Sequence, residues 1–482
     1  MGPAGTPSLA RYRSIAARAL IRSYHGFRRG VDATLATLHL GGAPRMLSLI
    51  GLLVGLALLV WLTLRGVELL VAAPLCALLV AVTSGFALFP QLAVDGGANF
   101  TGAYMQGFVG FVQAWFFMFL LGSLFGKVME ASGAADAVSR WIIGRLGRAN
   151  AIGAVVIACA VLTYGGVSLF VVAFSVYPLA LAMFREANLP RRFIPGTIAF
   201  GSVTFTMTSA GSPEIQNWIP IKYLGTTPYA GWEVSLVVAV FMIVLGSWWL
   251  RRMVGVAVAG GEAFVARTGD PGSAERALPP VAAALLPLLI VLVASFLLHD
   301  ELKESALIVS LGAGVLASLA LQWRHLRGRL GEALAAGALG ALIAIANTAA
   351  VVGFGGVARL TPGFLAAVDF MTQLPGPALV GAAVAVSVIA GLTGSASGGQ
   401  SIALPILAPH YTALGVDPEA LHRVVAISSG GLDSLPHNGY VVTTLRAICK
   451  ETYPAAYPAM FALTVVVPVL GTALAVLLFS LF

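Results

Sequence analysis

Charge is what this chain has least of. Of its 482 residues only 10% are Asp, Glu, Lys or Arg, against 59% that are hydrophobic, whereas soluble domains carry about a quarter charged residues. Mean hydropathy is +0.92. That balance argues against a soluble enzyme or a nucleic-acid-binding domain, and the surplus of 28 Lys+Arg over 20 Asp+Glu is read as loop anchoring on one membrane face. Cysteine is nearly missing too. Cys76, Cys159 and Cys449 lie far apart, so neither a disulfide framework nor a cysteine metal cluster is expected. The chain has no Gly-x-Ser-x-Gly elbow and no His-Glu-x-x-His pair, which leaves an intramembrane hydrolase built from Asp433, His437 and a serine without a motif.

Acid is scarce above all in residues 1–45, where Arg11, Arg13, Arg18, Arg22, Arg28, Arg29 and Arg45 face only Asp32. No signal-peptide apolar core precedes Met46. The stretch reads as an interfacial amphipathic helix, a targeting-like tail, or an upstream extension of a protein that starts at Met46.

What is present is long apolar sequence. Spans of about 20 residues suffice to cross a bilayer, and candidates lie at 46–65, 67–89, 106–128, 231–250, 280–298, 305–323, 333–357 and 455–481. Two further apolar stretches, 150–185 and 376–410, are interrupted by Thr163-Tyr164-Gly165-Gly166-Val167-Ser168 and by Thr393 to Ser401; each reads as a re-entrant hairpin with its tip at the Gly pair. Two more spans are broken, the first at Thr208 to Asn217 and the second at Ser428 to Asn438. Lipid cannot satisfy free backbone groups, so such breaks persist only inside protein or beside a wet cavity.

The order of elements occurs twice. Gly165-Gly166-x-Ser168 matches Gly398-Gly399-x-Ser401, and Phe125-Gly126-Lys127-Val128 resembles Gly355-Gly356-Val357-Ala358 at nearly the same spacing. An odd number of crossings separates the two hairpins, so the repeats enter from opposite faces. The expectation is an all-α polytopic membrane protein of two inverted repeats, with about ten crossings, two re-entrant hairpins and two broken helices. Residues 46–250 form the first repeat, 251–278 a cytoplasmic linker and 279–482 the second repeat. Discontinuous helices meeting near the midplane are a transporter arrangement; a channel would need a continuous lined pore instead. Most loop cations, among them Arg140, Arg185, Arg191, Arg192, Arg251, Arg267 and Lys450, fall on one face, with Lys222, Lys303, Arg359 and Arg423 on the other. The first face is then cytoplasmic, which places the Arg-rich tail outside, against the same rule.

The candidate site residues lie in the interruptions. Ser212-Pro213 pairs an N-cap residue with proline at the first helical position, which predicts a half-helix opening there. Ser168 and Ser401 are placed to cap the returning hairpin arms. Four helix N-termini converging would hold a carboxylate with backbone donors and no buried arginine. Gly165, Gly166, Gly398 and Gly399 give close approach, while Gln216, Asn217, Asn438, Gln400, Ser397, Ser434 and the other hydroxyls would read a hydroxylated solute. Asp433 and His437 stand four apart and share a face if helical; with Glu214 they are the candidates for proton coupling. A sodium ion held by break carbonyls is the competing choice, and no cofactor or protein metal site is expected. Each has a plainer reading: Gly pairs pack helices, His437 is a hydrogen-bond partner, and Glu214 favours a helix start.

Tyr164-Gly165-Gly166-Val167-Ser168-Leu169-Phe170, Thr204 to Thr208, Gly211 to Asn217 and Ser429-Gly430-Gly431-Leu432-Asp433-Ser434-Leu435-Pro436-His437-Asn438-Gly439 resemble the gluconate permease (GntP) family of the ion transporter superfamily. The likeness covers residues 46–482. It implies proton-coupled uptake of small hydroxycarboxylates across a bacterial inner membrane, an elevator-type fold and a homodimer. Gluconate-specific members carry Ser-His-Val-Asn-Asp where this chain has Leu435-Pro436-His437-Asn438-Gly439, so the resemblance is closer to the branch linked with short acids such as 3-hydroxybutyrate. Sodium-coupled citrate-type carriers are more distant relatives.

Overall fold

The computed structural model describes residues 43–93, 97–147, 150–267, 270, 277–372 and 377–481; the Arg-rich tail lies outside them. The described chain is an all-α polytopic membrane protein, with helices throughout and a lone bridge between Ala87 and Asn99. Eight of the described helices are long and apolar enough to cross a membrane.

Three helices open the first half: α1 (Ala43–Leu64), α2 (Leu69–Thr83) and α3 (Phe100–Ala131). The Asn99 side chain caps α3 by accepting from the Gly102 N–H at 2.8 Å, which satisfies one of the orphan donors of its first turn. Then come α4 (Ala134–Leu146), the hairpin arms α5 (Ala151–Tyr164) and α6 (Leu169–Glu186), and α7 (Ile194–Ala199), which widens into a π turn at Phe200–Thr204. A break follows, then a 3-10 turn at Ile215–Asn217, α8 (Ile221–Leu224) and the long α9 (Trp232–Ala259).

The second half repeats this order: α10 (Val281–Leu302), α11 (Ser305–Leu326), α12 (Leu330–Ala358), α13 (Pro362–Thr372), hairpin arms α14 (Ala378–Thr393) and α15 (Ala396–Ala413), and half-helix α16 (Pro418–Ser429). After the second break come α17 (Gly439–Val442), a π turn at Thr443–Ile448, α18 (Tyr453–Phe461) and α19 (Val467–Leu481).

Packing shows that the two halves are inverted. The most extensive interface joins α3 to its counterpart α12. Tyr104 donates to the Ala350 carbonyl at 3.1 Å near one end, and Ser123 donates to the Gly337 carbonyl at 2.8 Å near the other. Residue numbers rise in one helix as they fall in the other, so equivalent helices run antiparallel. Contacts exchange in the same way: α3 packs on α11 as α12 packs on α2, and α4 on α10 as α13 on α1. Arm α6 reaches the π turn at Thr443–Ile448 while α15 reaches α8.

Glycines set how closely these elements approach. A Cβ on Gly126 would meet Val171 of α6 at 2.9 Å, and one on Gly355 would meet Ile402 of α15 at 2.2 Å. Gly126 and Gly355, the latter one residue before the sequence counterpart of Gly126, thus each seat a hairpin arm on the scaffold. We expect Gly355→Val to cost about 1–3 kcal/mol through overpacking, seen as a lower melting temperature of the detergent-purified protein; an unchanged melting temperature would mean that this seam is looser than it looks.

The hairpin tips correct the expected register. Gly166, at φ +92°, is matched by Gly394, at φ +61°, and the turn is there because glycine adopts this left-handed backbone without a Cβ clash. Gly398, Gly399 and Ser401 instead lie inside α15, whose N-cap is Ser395, accepting from the Gly398 N–H at 3.1 Å. Ser401 caps nothing, and Ser168 occupies an N-cap position without a side-chain cap bond. Pro213 likewise opens no long half-helix: extended backbone at Glu214 leads into the 3-10 turn and a four-residue helix. The short helices α4 and α13 were not expected.

The linker folds back as a clasp on one end of the molecule. Buried Arg191 donates to Glu451 Oε1 at 3.0 Å, to Asp270 Oδ1 at 2.9 Å and to the Tyr177 hydroxyl at 3.1 Å. Arg267 donates to Glu451 Oε2 at 3.0 Å and to the Lys450 carbonyl at 2.6 Å. Arg192 forms a forked pair with Glu262 at 2.7 and 2.8 Å. Linker, α6, the start of the first broken helix and the end of the second are thus joined, and Arg185, Arg191, Arg192 and Arg267 of the cations assigned to one face meet there.

Candidate functional site

Both breaks are held by side chains from other elements, as backbone freed from helix at membrane depth requires. In the first, Tyr164 donates to the Ala210 carbonyl, and Ser235 of α9 accepts from the Ala210 N–H at 2.9 Å. The Ser212 carbonyl accepts from Trp218 Nε1 at 3.0 Å and Asn217 Nδ2 at 3.3 Å. In the second, Tyr457 and Tyr453 of α18 donate to the carbonyls of Ser434 and Pro436 at 3.1 and 2.7 Å. Asn438 caps α17 by accepting from the Val441 N–H at 2.9 Å while donating to the Gly394 carbonyl at 2.9 Å. That second bond ties the break to the hairpin tip.

Gln400 joins all three interruptions of this region. It is fully buried on α15, and its Nε2 donates to the Gln216 carbonyl at 3.0 Å and to Ser429 Oγ at 2.9 Å. Because the Gln216 carbonyl only accepts, the amide must present nitrogen to it, which fixes where Gln400 Oε1 points. Among the described residues that oxygen has no partner. Neither do Gln216 Oε1, Ser401 Oγ and His437 Nε2, each of them a buried atom. Buried polar atoms are normally hydrogen-bonded, so these atoms, drawn from the first break, the second hairpin and the second break, are candidates for polar contact with a solute. Gly430 lies beside Thr208, since a Cβ there would stand 3.2 Å from the Thr208 methyl, so the two breaks touch. Gly165 packs on Leu288, and Gly166 on Val291, Leu311 and Pro213, which places the first tip against the scaffold and the first break.

Asp433 and His437 are both buried but do not share a helical face, because residues 430–438 form a chain of turns. The Asp433 carboxylate accepts from Ser434 Oγ at 3.0 Å. His437 instead turns toward the second hairpin: a Cβ on Gly394 would lie 2.9 Å from its Nε2. Glu214 is partly exposed, and Ser397 is buried beside Ser395, their hydroxyls 3.4 Å apart.

Arg423 corrects the charge reading. Instead of lying in an exposed loop it is fully buried in α16, and the region of the breaks is not free of buried arginine. Its guanidinium donates to the carbonyls of Ala230 and Thr208 at 2.8 Å, to Pro228 at 3.1 Å and to Asn217 Oδ1 at 2.7 Å. Asn217 is thereby engaged at both ends of its amide, since Nδ2 also donates to the Pro228 carbonyl at 2.8 Å. Next to it the Thr226 hydroxyl and His422 Nδ1 are hydrogen-bonded at 2.6 Å. Asp417 caps α16 by accepting from the N–H groups of Glu419 and Ala420, with Pro418 at the first helical position. That start signal is present in the sequence, and it places His422 and Arg423 inside a helix.

The same architecture exists in solved transporters. The chain superposes on the YdaH transporter of Alcanivorax borkumensis, described as having an unusual topology, with a TM-score of 0.54 and 16% identity over 91% of this chain and 98% of that one. It superposes on MtrF of Neisseria gonorrhoeae, described within a class of antimetabolite efflux pumps, with a TM-score of 0.51 and 14% identity over 91% of this chain and 94% of that one. At such identities the likeness is one of fold. No model of a known protein family matches the sequence. Sequence similarity to the uncharacterized transporter YxjC of Bacillus subtilis is far higher, 36% identity over 463 residues spanning 87% of this chain and 96% of that protein, and the chain accordingly belongs to the same family of membrane transporters as YxjC.

Proposed function

We propose that this transporter is a secondary active carrier of the gluconate permease type, which moves a small hydroxymonocarboxylate such as 3-hydroxybutyrate inward across a bacterial inner membrane together with protons. The observation that carries the reading is the group of unpartnered buried atoms Gln216 Oε1, Gln400 Oε1, Ser401 Oγ and His437 Nε2. Amide oxygens accept from a solute hydroxyl, and a serine hydroxyl or an imidazole N–H can donate to a carboxylate. The motif resemblance at Gly211 to Asn217 and Ser429 to Gly439 supports the substrate class. Inverted halves with broken helices meeting at one place suit alternating access, and an elevator motion of hairpins and breaks against the α3–α12 scaffold is part of the proposal, as is a homodimer.

Buried Asp433 is the proposed proton carrier, with His437 and Glu214 as the groups through which the proton enters or leaves. The test is uptake of labelled 3-hydroxybutyrate into proteoliposomes under an imposed proton gradient, for wild type and Asp433→Asn, with gluconate and citrate as competitors. Gradient-driven accumulation that falls at least about tenfold in the variant is the expected result. Accumulation that follows sodium and ignores pH would replace the proton by sodium, and no accumulation of any acid would remove the substrate assignment.

A further inference from the structure

Arg423 has an unusual set of partners for a buried cation. Its four hydrogen bonds go to neutral acceptors, three backbone carbonyls and one amide oxygen. Glu419, one turn earlier on α16, uses a carboxylate oxygen to accept from the Gly231 N–H at 3.4 Å. Guanidinium does not lose its proton in proteins, so a full positive charge is kept inside the protein, where an uncompensated charge is costly. Its location matters as much as its sign. Asn217, which accepts from it, is next in sequence to Gln216, and Ser429 lies six residues on along α16, an axial rise of about 9 Å. Those neighbours are the two groups that Gln400 bridges.

We infer that Arg423 is a specificity-determining residue that draws an anion into the site through its field, without touching it, four of its five N–H donors being committed to the first break and to the loop before α9. This rests on the carboxylate reading above. For a separation on the order of that 9 Å rise, a unit charge in a medium of effective dielectric near 20 would be worth about a tenfold to thirtyfold change in affinity for a monoanion. The buried carboxyl of Asp433 and the partly exposed one of Glu214 repel an anion when ionised; protonating them leaves Arg423 as the dominant charge, which also gives proton loading a reason to precede or accompany binding.

The measurement is the KM and maximal rate of 3-hydroxybutyrate uptake in proteoliposomes for wild type, Arg423→Gln, Arg423→Lys and Glu419→Gln. Arg423→Gln should raise KM by about tenfold or more with a smaller change in maximal rate, and Arg423→Lys should recover most of that loss. Glu419→Gln keeps an acceptor for Gly231 while removing a nearby negative charge, and should lower KM by about twofold to fivefold; it reads the same field if Arg423→Gln does not fold. A purely structural arginine would give low maximal rates in both Arg423 variants alike with KM unmoved, and that pattern, or an unchanged KM in Glu419→Gln, would overturn the inference. A wild type that takes up no carboxylate would remove the reading beneath it, whereas wild-type uptake with an unaltered KM in Arg423→Gln would remove this inference alone.

Discussion

Gln400→Leu is expected to abolish measurable transport while leaving a folded, monodisperse protein. Leucine has a similar volume and suits a buried helix position, so the scaffold and the arms of the second hairpin keep their packing. What disappears is the donor that Gln400 Nε2 supplies to the Gln216 carbonyl and to Ser429 Oγ. Leaving a buried carbonyl without a donor costs about 1–3 kcal/mol, which corresponds to about a fivefold to 150-fold loss of the arrangement in which both breaks face the hairpin. A solute that needs Gln400 Oε1 loses that contact as well. Gln400→Glu should fail for a different reason, because a carboxylate in its ionised form offers only acceptors to the Gln216 carbonyl. Uptake rates normalised to folded protein would decide, and near wild-type transport by Gln400→Leu would sink the assignment of this region as the site.

The second large effect concerns stability. Arg191→Met strips Asp270 and Glu451 of the cation between them, and Glu451 has only 3% of its side chain exposed. Removing one partner of a buried ion pair costs about 3–5 kcal/mol, because the other charge stays buried. Arg267 still reaches Glu451, but its side chain is 43% exposed and its pairing is weakened by solvent. Acid should imitate the mutation. Burial alone would raise the Asp270 pKa, yet the Arg267 N–H and the Arg191 guanidinium outweigh it and hold the carboxyl below its ordinary value. A depressed carboxylate contributes stability that is present above its unfolded pKa and lost as pH falls through the folded one. Thermal unfolding of wild type should therefore weaken below the ordinary carboxylate range, and Asp270→Asn should flatten that dependence; an identical acid limb in Asp270→Asn would show that the clasp does not set it.

The spans were legible in the sequence because a bilayer demands about 20 apolar residues per crossing. The breaks were legible because Gly, Pro and ionisable residues inside such runs have no other place to go. Turn register was not. Identity between Gly-Gly pairs does not say which glycine takes the left-handed conformation, and here the second hairpin turns at Gly394, ahead of the matching Gly398-Gly399. The short helices α4 and α13 escaped a search tuned to long apolar windows. Arg423 was misplaced for a related reason: assigning charges to membrane faces treats a cation as loop, whereas Asp417-Pro418 had already started a helix. At the candidate site, Asp433, His437 and Gln400 could be named from sequence, but which atoms stay unpartnered depends on contacts between segments about 200 residues apart.

The arginine fastening also carries a consequence for biogenesis. The carbonyls of Thr208 and Ala230 accept from a residue 193 to 215 positions further along the chain. While the first half is leaving the ribosome and entering lipid, that stretch has no arginine to close it, and bare carbonyls are poorly tolerated in hydrocarbon. The first half is therefore expected to complete these two hydrogen bonds only after α16 is made. Two half-proteins expressed separately should each be short-lived and survive when made together, which makes completion of the chain itself the last step in building the solute pathway.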